Sequence, residues 1–142
     1  MLVQIKRIDP SLPLPQYHSA GACAFDLYAR ETTVVQRKSY SRIPTNLIIR
    51  VPAGYALFIS LRSGTPKKFN LLLPNSPGII DQDYCGPNDE ILVAVYNYGD
   101  TDVTIARGVR FAQGTFVEIN RADWHEVATT VPVTRGGFGS TG

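Results

Sequence analysis

Glycine and proline punctuate this chain along its whole length, and no other sequence feature limits its fold as strongly. The 142 residues include 12 Gly and 10 Pro, and short runs rich in β-branched and aromatic residues lie between them. Such runs, bounded by turn residues, are typical of strands in a β-sandwich or barrel. The sequence therefore predicts an all-β fold, with strands in residues 2–8, 32–36, 47–51, 55–61, 91–98, 103–105 and 110–119.

Two segments carry more detailed predictions. Residues 91–95 are apolar at every position, which predicts a strand buried on both faces. At most one short helix is expected, capped by the side chain of Ser63 and with Pro66 in its first turn. We expect it to run through residues 67–71 and to end before Pro74, because proline lacks the N–H that a helix needs.

Composition argues against several classes of function. The chain has 14 Lys and Arg against 12 Asp and Glu, a net charge of +2, which is too small a surplus for a nucleic-acid binder or a polybasic membrane anchor. Two cysteines are too few for a disulfide scaffold or a zinc site built from thiolates. No run approaches the roughly 20 apolar residues of a membrane span, and the first residues lack the apolar stretch of a signal peptide. We therefore expect a protein of the reducing cytoplasm.

The last nine residues differ in composition from the rest of the chain. Four of them are glycines, which cannot build a core strand because glycine adds entropy cost and no packing. Arg135 and Phe138 offer one cation and one aromatic ring, which suits a lid over a planar, anionic ligand. A disordered terminus is the alternative interpretation. We predict a β domain over residues 1–133 and an arm over residues 134–142.

Arg62, Ser63 and Gly64 stand where a strand gives way to the predicted helix. Free backbone N–H groups favour an anion at such a point, and the arginine fork matches the oxygens of a phosphate. The alternative interpretation is a helix cap preceded by an exposed arginine.

Asp81 and Asp83 lie in a segment bounded by glycines at positions 78 and 86. In an extended chain, carboxylates two residues apart point to the same face, where one could act as a general base or the pair could attract a divalent cation. A turn with solvated acidic residues is the alternative interpretation.

Asp26 and Gln113 are polar residues with apolar neighbours in the sequence. Each could simply form hydrogen bonds with neighbouring backbone groups. Cys23 is expected to be a small core residue rather than a nucleophile. Cys85 lies beside the acidic segment, and thiol chemistry there stays open.

Together and in this order, five segments resemble the motifs of the trimeric dUTP diphosphatases, or dUTPases. They are Ala-Cys-Ala-Phe-Asp-Leu at 22–27, Arg-Ser-Gly at 62–64, Gly-Ile-Ile-Asp-Gln-Asp-Tyr at 78–84, Arg-Phe-Ala-Gln at 110–113 and Gly-Phe-Gly-Ser-Thr-Gly at 137–142. The resemblance covers residues 21–142. It implies a jelly-roll-like fold and a homotrimer in which the C-terminal arms are exchanged between subunits.

The resemblance also implies an activity, hydrolysis of dUTP to dUMP and pyrophosphate with Mg²⁺, which keeps uracil out of DNA and supplies dUMP. Asp81 resembles the base that deprotonates water for attack on the α-phosphorus. Tyr84 is then expected to lie against the deoxyribose and to leave no room for a 2′-hydroxyl. The metal is expected to be held chiefly by phosphates, with Asp26 and Gln113 acting through water.

The remaining roles follow from the same resemblance. The residues expected to hold phosphate oxygens are Arg62, Ser63, Gly64 and Gln113, with Arg135 and Ser140 from the arm. The residues expected to line the uracil pocket are Asn75, Gly78, Ile79, Ile80 and Leu92, while Phe138 is expected to stack on the uracil.

Four features depart from the family pattern. Ala24 replaces a usual glycine, the Pro87-Asn88-Asp89 segment is an insertion, the pair Lys67-Lys68 follows Pro66 where a small apolar helix start is common, and the arm is short by two residues. None of them removes a side chain with an expected catalytic role.

Three alternatives compete with this interpretation. A dCTP deaminase, or a bifunctional dCTP and dUTP enzyme, shares the fold but has a Glu where this chain has Ala94, three residues before Asn97. A non-catalytic nucleotide-binding regulator is the second alternative, and a purely structural β-sandwich is the third.

Overall fold

The computed structural model describes residues 1–134 and 136–137, and within them the chain forms eleven strands and one short helix. The strands are β1 (Gln4–Arg7), β2 (Phe25–Tyr28), β3 (Thr33–Val35), β4 (Tyr40–Pro44), β5 (Leu47–Arg50), β6 (Tyr55–Leu61), β7 (Leu71–Leu72), β8 (Gly78–Ile80), β9 (Leu92–Asn97), β10 (Val103–Ile105) and β11 (Arg110–Glu118), and the helix is α1 (Thr65–Phe69). The predicted all-β architecture is confirmed.

Two larger sheets enclose the core. One has the strand order β2-β11-β6-β8 and the other β4-β9-β7, while β1 pairs with β5 and β3 with β10. Every pair is antiparallel. Buried side chains from both larger sheets, such as Leu57 and Phe111 from one and Ile43 and Val95 from the other, belong to a single apolar cluster. This is how a sandwich buries the inner faces of its sheets.

The predicted strands are present, but four further strands were not predicted. β6 and β10 have the predicted bounds, whereas β2, β4, β7 and β8 lie outside every predicted run. The missed strands are short or carry polar residues, as in Phe-Asp-Leu-Tyr and Tyr-Ser-Arg-Ile-Pro. Their pairing comes from neighbouring strands rather than from their own composition.

The prediction that residues 91–95 are buried on both faces was wrong. Val93 and Val95 are buried, but Leu92 is 41% exposed and Ala94 is only partly buried. The sheet that holds β9 therefore turns only one face to the core of this chain, and its other face carries apolar side chains outward.

The N-cap of the short helix lies one residue later than predicted. Gly64 rather than Ser63 is the N-cap residue, and no side chain caps the helix. Pro66 lies in the first turn as predicted, but the helix ends at Phe69 rather than at residue 71, because the C-cap residue Asn70 adopts a left-handed conformation with φ of 52° and donates its N–H to the carbonyl of Pro66. The end therefore depends on Asn70 and comes before Pro74 is reached. In the described part of the chain, no helix is long and apolar enough to cross a membrane.

Candidate active site

Three neighbouring strands bring polar side chains to one face of the larger sheet. Gln113 on β11 is the register partner of Asp26 on β2 and of Ser60 on β6. Directly opposed residues point to the same face of a sheet, and Gln113 Nε2 donates to Ser60 Oγ at 3.1 Å. The two residues that were predicted to act near a metal are thus side by side.

A β-bulge adds an arginine to this row. Arg110 pairs with Tyr28 and Ala112 pairs with Leu27, so Phe111 is an extra residue on β11. Residues three apart on a regular strand point to opposite faces, but the extra residue restores Arg110 to the face of Gln113. The bulge therefore turns the Arg110 side chain toward Asp26.

The carboxylate of Asp26 joins two arginines. Asp26 is only 7% exposed. Its Oδ1 forms an ion pair with Arg62 Nε at 2.9 Å, and its Oδ2 accepts a hydrogen bond from Arg110 Nη1 at 3.1 Å. His18 Nε2 lies 3.2 Å from the same Oδ2 and 3.0 Å from Arg110 Nη1. Charge-assisted bonds of this kind offset the desolvation of a buried carboxylate, and here they fix the two guanidinium groups near each other.

Beside this cluster lies a cavity of about 310 Å³, called the cationic cavity below. Its lining residues come from the end of β6, from α1 and from the start of β11: Arg62, Ser63, Gly64, Thr65, Lys68, Phe69, Val109 and Arg110. Buried Thr65 donates its hydroxyl to the carbonyl of Phe111 at 2.7 Å, which attaches the helix to β11. The three residues predicted to hold phosphate oxygens at this point, 62–64, all line the cavity.

A second, smaller cavity of about 60 Å³ lies between the two large sheets and is called the β8–β9 cavity. It is lined by Ile59, Leu73, Asn75, Gly78, Ile79, Ile80, Leu92, Val93 and Ala94. All five residues predicted to form the uracil pocket are among them. At Gly78 a Cβ would stand 3.2 Å from the Cβ of Ile59, so this glycine lets β8 approach β6 closely.

Asp81 follows β8 directly, at the start of a turn. The Asp81 carbonyl accepts from the N–H of Tyr84 at 3.4 Å, and the Asp83 carbonyl accepts from the N–H of Cys85 at 3.0 Å. Of the two interpretations of this segment, the structure therefore supports the turn with exposed acidic residues, because the chain bends between Asp81 and Asp83. The Asp81 side chain is exposed and forms no ion pair with any of the described residues.

The loop from β8 to β9 is held at its far end by a buried glutamate. Glu90 is 9% exposed and accepts from Arg30 Nε at 2.8 Å, from Arg30 Nη2 at 3.0 Å and from the N–H of Asn46 at 2.7 Å. The hydrogen bonds from Arg30 to Glu90 raise the pKa of Arg30. The Tyr84 hydroxyl donates to the Glu90 carbonyl at 3.1 Å, so the ring predicted to contact the sugar is tied to the same anchor.

The inserted residues close a small turn within this loop. Gly86 donates its N–H to Asp89 Oδ2 at 2.6 Å, and the N–H of Asp89 donates to the Gly86 carbonyl at 3.2 Å. Cys85, beside the turn, is half-buried. Cys23 is exposed rather than part of the core, because it precedes β2, so that prediction was wrong.

The structure does not bring the predicted phosphate residues and the predicted uracil residues into one cavity of a single chain. The cationic cavity and the β8–β9 cavity share no lining residue, and Asp81 lines neither of them. Three further predicted residues, Arg135, Phe138 and Ser140, lie outside the described residues. Just before them, residues 120–134 are exposed, with Trp124 94% exposed.

Comparison with known proteins identifies the family. The dUTPase family model matches residues 11–142. The chain belongs to the dUTPase family. The deoxyuridine 5′-triphosphate nucleotidohydrolase of Anaplasma marginale is 38% identical over 135 residues, covering 92% of this chain and 90% of that protein. The protein of the same name from Thermobifida fusca is 39% identical over 143 residues, covering 99% of this chain and 78% of its own length.

A solved dUTPase extends the likeness to the fold. The crystal structure of dUTPase from Streptococcus mutans superposes with a TM-score of 0.77 at 30% identity, covering 84% of this chain and 98% of that chain. The prediction of a jelly-roll-like dUTPase fold is confirmed.

Sequence reasoning missed three side chains of this dUTPase-family site. Arg110 belonged to a quoted motif but was given no role, because only the bulge turns it toward Asp26. His18 lies eight positions before Asp26, and no spacing rule connects the two. Lys68 was noted only as a departure from the family, although it lines the cationic cavity.

Proposed function

We propose that this chain hydrolyses dUTP to dUMP and pyrophosphate, with Mg²⁺ as cofactor and Asp81 as general base. One observation carries the proposal. Residues 78–80 line the β8–β9 cavity, and Asp81 is the next residue, exposed at the end of the same strand. A base held in that cavity would therefore bring its own phosphates close to an available carboxylate. The reaction removes dUTP from the nucleotides used for DNA synthesis and supplies dUMP.

The β8–β9 cavity suits a small planar base. Its lining is mostly apolar, and Asn75 supplies the polar side chain. β8 is the edge strand of its sheet, so backbone N–H and C=O groups on its free side can meet the alternating acceptors and donor of uracil. Recognition would then rest on backbone groups, with Ile79 and Leu92 covering the ring.

Asp81 supplies the chemical step. Its carboxylate accepts a proton from water while the water oxygen bonds to the α-phosphorus and the bond to the bridging oxygen breaks, so that pyrophosphate leaves. A positioned general base contributes about 10²–10⁴-fold to a rate. Tyr84, held by the Glu90 carbonyl, would cover the deoxyribose on the side of the 2′ position.

The cationic cavity would hold the triphosphate. A nucleoside triphosphate brings about four negative charges, and phosphoryl transfer depends mainly on positioning and on neutralising that charge. Arg62 and Arg110 supply guanidinium groups already oriented by Asp26, and Ser63 and Gly64 line the same cavity. Gln113 would help to fix the phosphates.

The described residues contain no group of three or more His, Cys, Asp or Glu side chains that could hold a metal ion directly. Asp26 and Gln113 fit a more distant role, because both bring side-chain oxygen atoms to one face of the sheet. They would contact Mg²⁺ through water while phosphate oxygens bind it, and Mg²⁺ would neutralise negative charge on those phosphates.

We infer further that each complete site is shared among three protomers. Two observations support this. The base side and the phosphate side form separate cavities in one chain, and apolar Ile79 and Leu92 are exposed at 58% and 41% beside the first of them. The arm, residues 134–142, would close over a site, with Phe138 stacking on the base and Arg135 and Ser140 reaching the phosphates. Deleting the arm should then lower turnover strongly without unfolding the β domain.

A substrate panel tests the proposed function. The purified protein is incubated with Mg²⁺ and dUTP, UTP, dTTP or dCTP, and pyrophosphate and nucleotide products are measured. We expect pyrophosphate and dUMP from dUTP and much less product from the other three. Formation of dUTP or dUMP from dCTP would indicate a deaminase, and the absence of pyrophosphate with dUTP would indicate a non-catalytic protein.

A further inference from the structure

The cationic cavity contains three cations, and only two of them are engaged by a carboxylate. Arg62 and Arg110 both form ion pairs with Asp26. Lys68 lines the same cavity but has no carboxylate within ion-pair distance among the described residues. Three positive charges against the single charge of Asp26 leave an excess of two, and Lys68 is the one of the three that pairs with no carboxylate of the described residues.

A ring rather than an acid positions the Lys68 ammonium. Its Nζ stands 4.9 Å from the centroid of the Phe69 ring, and Phe69 lines the cavity as well. A cation–π contact attracts the ammonium without cancelling its charge. The three N–H donors of lysine therefore remain available to an anion.

The neighbouring lysine differs in this respect. Lys67 is exposed like Lys68, but it is absent from the cavity lining. Successive residues of a helix are turned by about 100° from one another, so the two side chains leave α1 in different directions. The pair supplies a built-in control, because the two residues have the same charge and the same helix but only one reaches the cavity.

We propose that Lys68 is a substrate-binding residue that contacts the β- and γ-phosphates and holds the pyrophosphate product. This inference rests on the proposed function. The base enters the β8–β9 cavity and Asp81 acts at the α-phosphorus, so the part of the substrate that lies farthest from both is the distal diphosphate. The cationic cavity shares no residue with the base side, and its charge excess of two matches a diphosphate rather than a single phosphodiester.

Competition with inorganic pyrophosphate tests the assignment. Lys68→Gln should weaken inhibition by pyrophosphate about tenfold and raise KM for dUTP by a similar factor, the size of one lost charge-assisted hydrogen bond. Inhibition by dUMP, which lacks the distal phosphates, should change less than twofold, and kcat should fall less than KM rises. Lys68→Arg should recover most of the pyrophosphate affinity, whereas Lys67→Gln should match the unaltered protein.

Equal effects of Lys67→Gln and Lys68→Gln would overturn the proposal, because a general loss of surface charge would then explain both. An equal weakening of dUMP and pyrophosphate would overturn it as well. Calorimetric titration of pyrophosphate into the unaltered protein and Lys68→Gln requires no turnover. Lys68-dependent pyrophosphate binding without dUTP hydrolysis would therefore reject the proposed function alone, and hydrolysis that does not depend on Lys68 would reject the Lys68 assignment alone.

Discussion

The cationic cavity and the β8–β9 cavity offer a ligand different kinds of contact. The first has about 310 Å³ and three cationic side chains on its walls. The second has about 60 Å³ and is lined mainly by aliphatic side chains and the backbone of an edge strand. Charged side chains attract phosphates over several ångströms and tolerate small displacements, whereas hydrogen bonds from backbone groups require a fixed strand position.

This difference predicts how each region responds to mutation. Removing a side chain should damage the cationic cavity most, because its function depends on charge. Altering the backbone of β8 should damage the β8–β9 cavity most, because its function depends on the position of main-chain groups. Single substitutions in each region test this difference between the two cavities.

Asp81→Asn should have the largest effect because it removes the proposed general base while leaving both cavities intact. We expect kcat to fall about 10³-fold, with the affinity for dUMP and for a non-hydrolysable dUTP analogue unchanged within about twofold. Steady-state pyrophosphate release and calorimetric titration measure the two quantities. Asp83→Asn is the matched control and should retain activity. A large loss in that variant would show that the general base had been assigned to the wrong carboxylate.

Glu90→Gln should destabilise the loop that carries Asp81 and Tyr84. The change removes the buried charge that accepts from Arg30 and from the N–H of Asn46, which should lower the free energy of unfolding by about 3 kcal/mol. Glu31→Gln is the control, since Glu31 contacts the same arginine at 3.5 Å but is exposed, and its loss should cost less than about 1 kcal/mol. Urea unfolding measures both, and equal losses would show that the burial of Glu90 is unimportant.

Arg62→Ala should damage the cationic cavity selectively. It removes a phosphate contact and one partner of Asp26, so kcat/KM for dUTP should fall about a hundredfold. Arg37→Ala, which removes an exposed cation outside both cavities, should leave kcat/KM unchanged. The contrast between the cavities would fail if Arg62→Ala weakened binding of deoxyuridine, which has no phosphate, as much as binding of dUTP.

Gly78→Ala should affect the β8–β9 cavity with a smaller loss. The added Cβ would stand 3.2 Å from the Cβ of Ile59, which pushes β8 outward by a few tenths of an ångström and displaces its backbone donors. We expect KM for dUTP to rise about fivefold, in line with a lost fraction of one neutral hydrogen bond. Gly21→Ala has open space around its Cβ and serves as control. A change in pyrophosphate affinity in Gly78→Ala would contradict the separation of the two cavities.

The resemblance to the family predicted much of the arrangement, because residues that it assigns to one part of a ligand line the same cavity even where they lie far apart in sequence. Asn75 and Leu92, seventeen positions apart, both line the β8–β9 cavity, and residues 62–64 line the cationic cavity together. The spacing of Gly and Pro predicted the all-β class, because short strands need frequent turns.

What escaped prediction depends on tertiary pairing. The bulge that turns Arg110 toward Asp26 is a property of the register between β2 and β11, and no local pattern in either strand encodes it. The charge of Asp26 did not suggest a buried strand position for β2. Two arginines form ion pairs with this carboxylate and stabilise it there. The sequence left open whether Asp81 and Asp83 lie on an extended segment or in a turn, and hydrogen bonds donated by the N–H groups of Tyr84 and Cys85 form the turn.

The central claim is that Asp81 with the β8–β9 cavity of one protomer completes the cationic cavity of another, and mixed trimers test it most directly. Asp81→Asn and Arg62→Ala chains are unfolded together in equal amounts, refolded and assayed with dUTP. If the two halves of a site come from different protomers, about one quarter of the sites receive both intact halves, and about a quarter of the unaltered activity should return. Activity that stays at the low level of the separate variants would contradict the claim and place both halves in one chain.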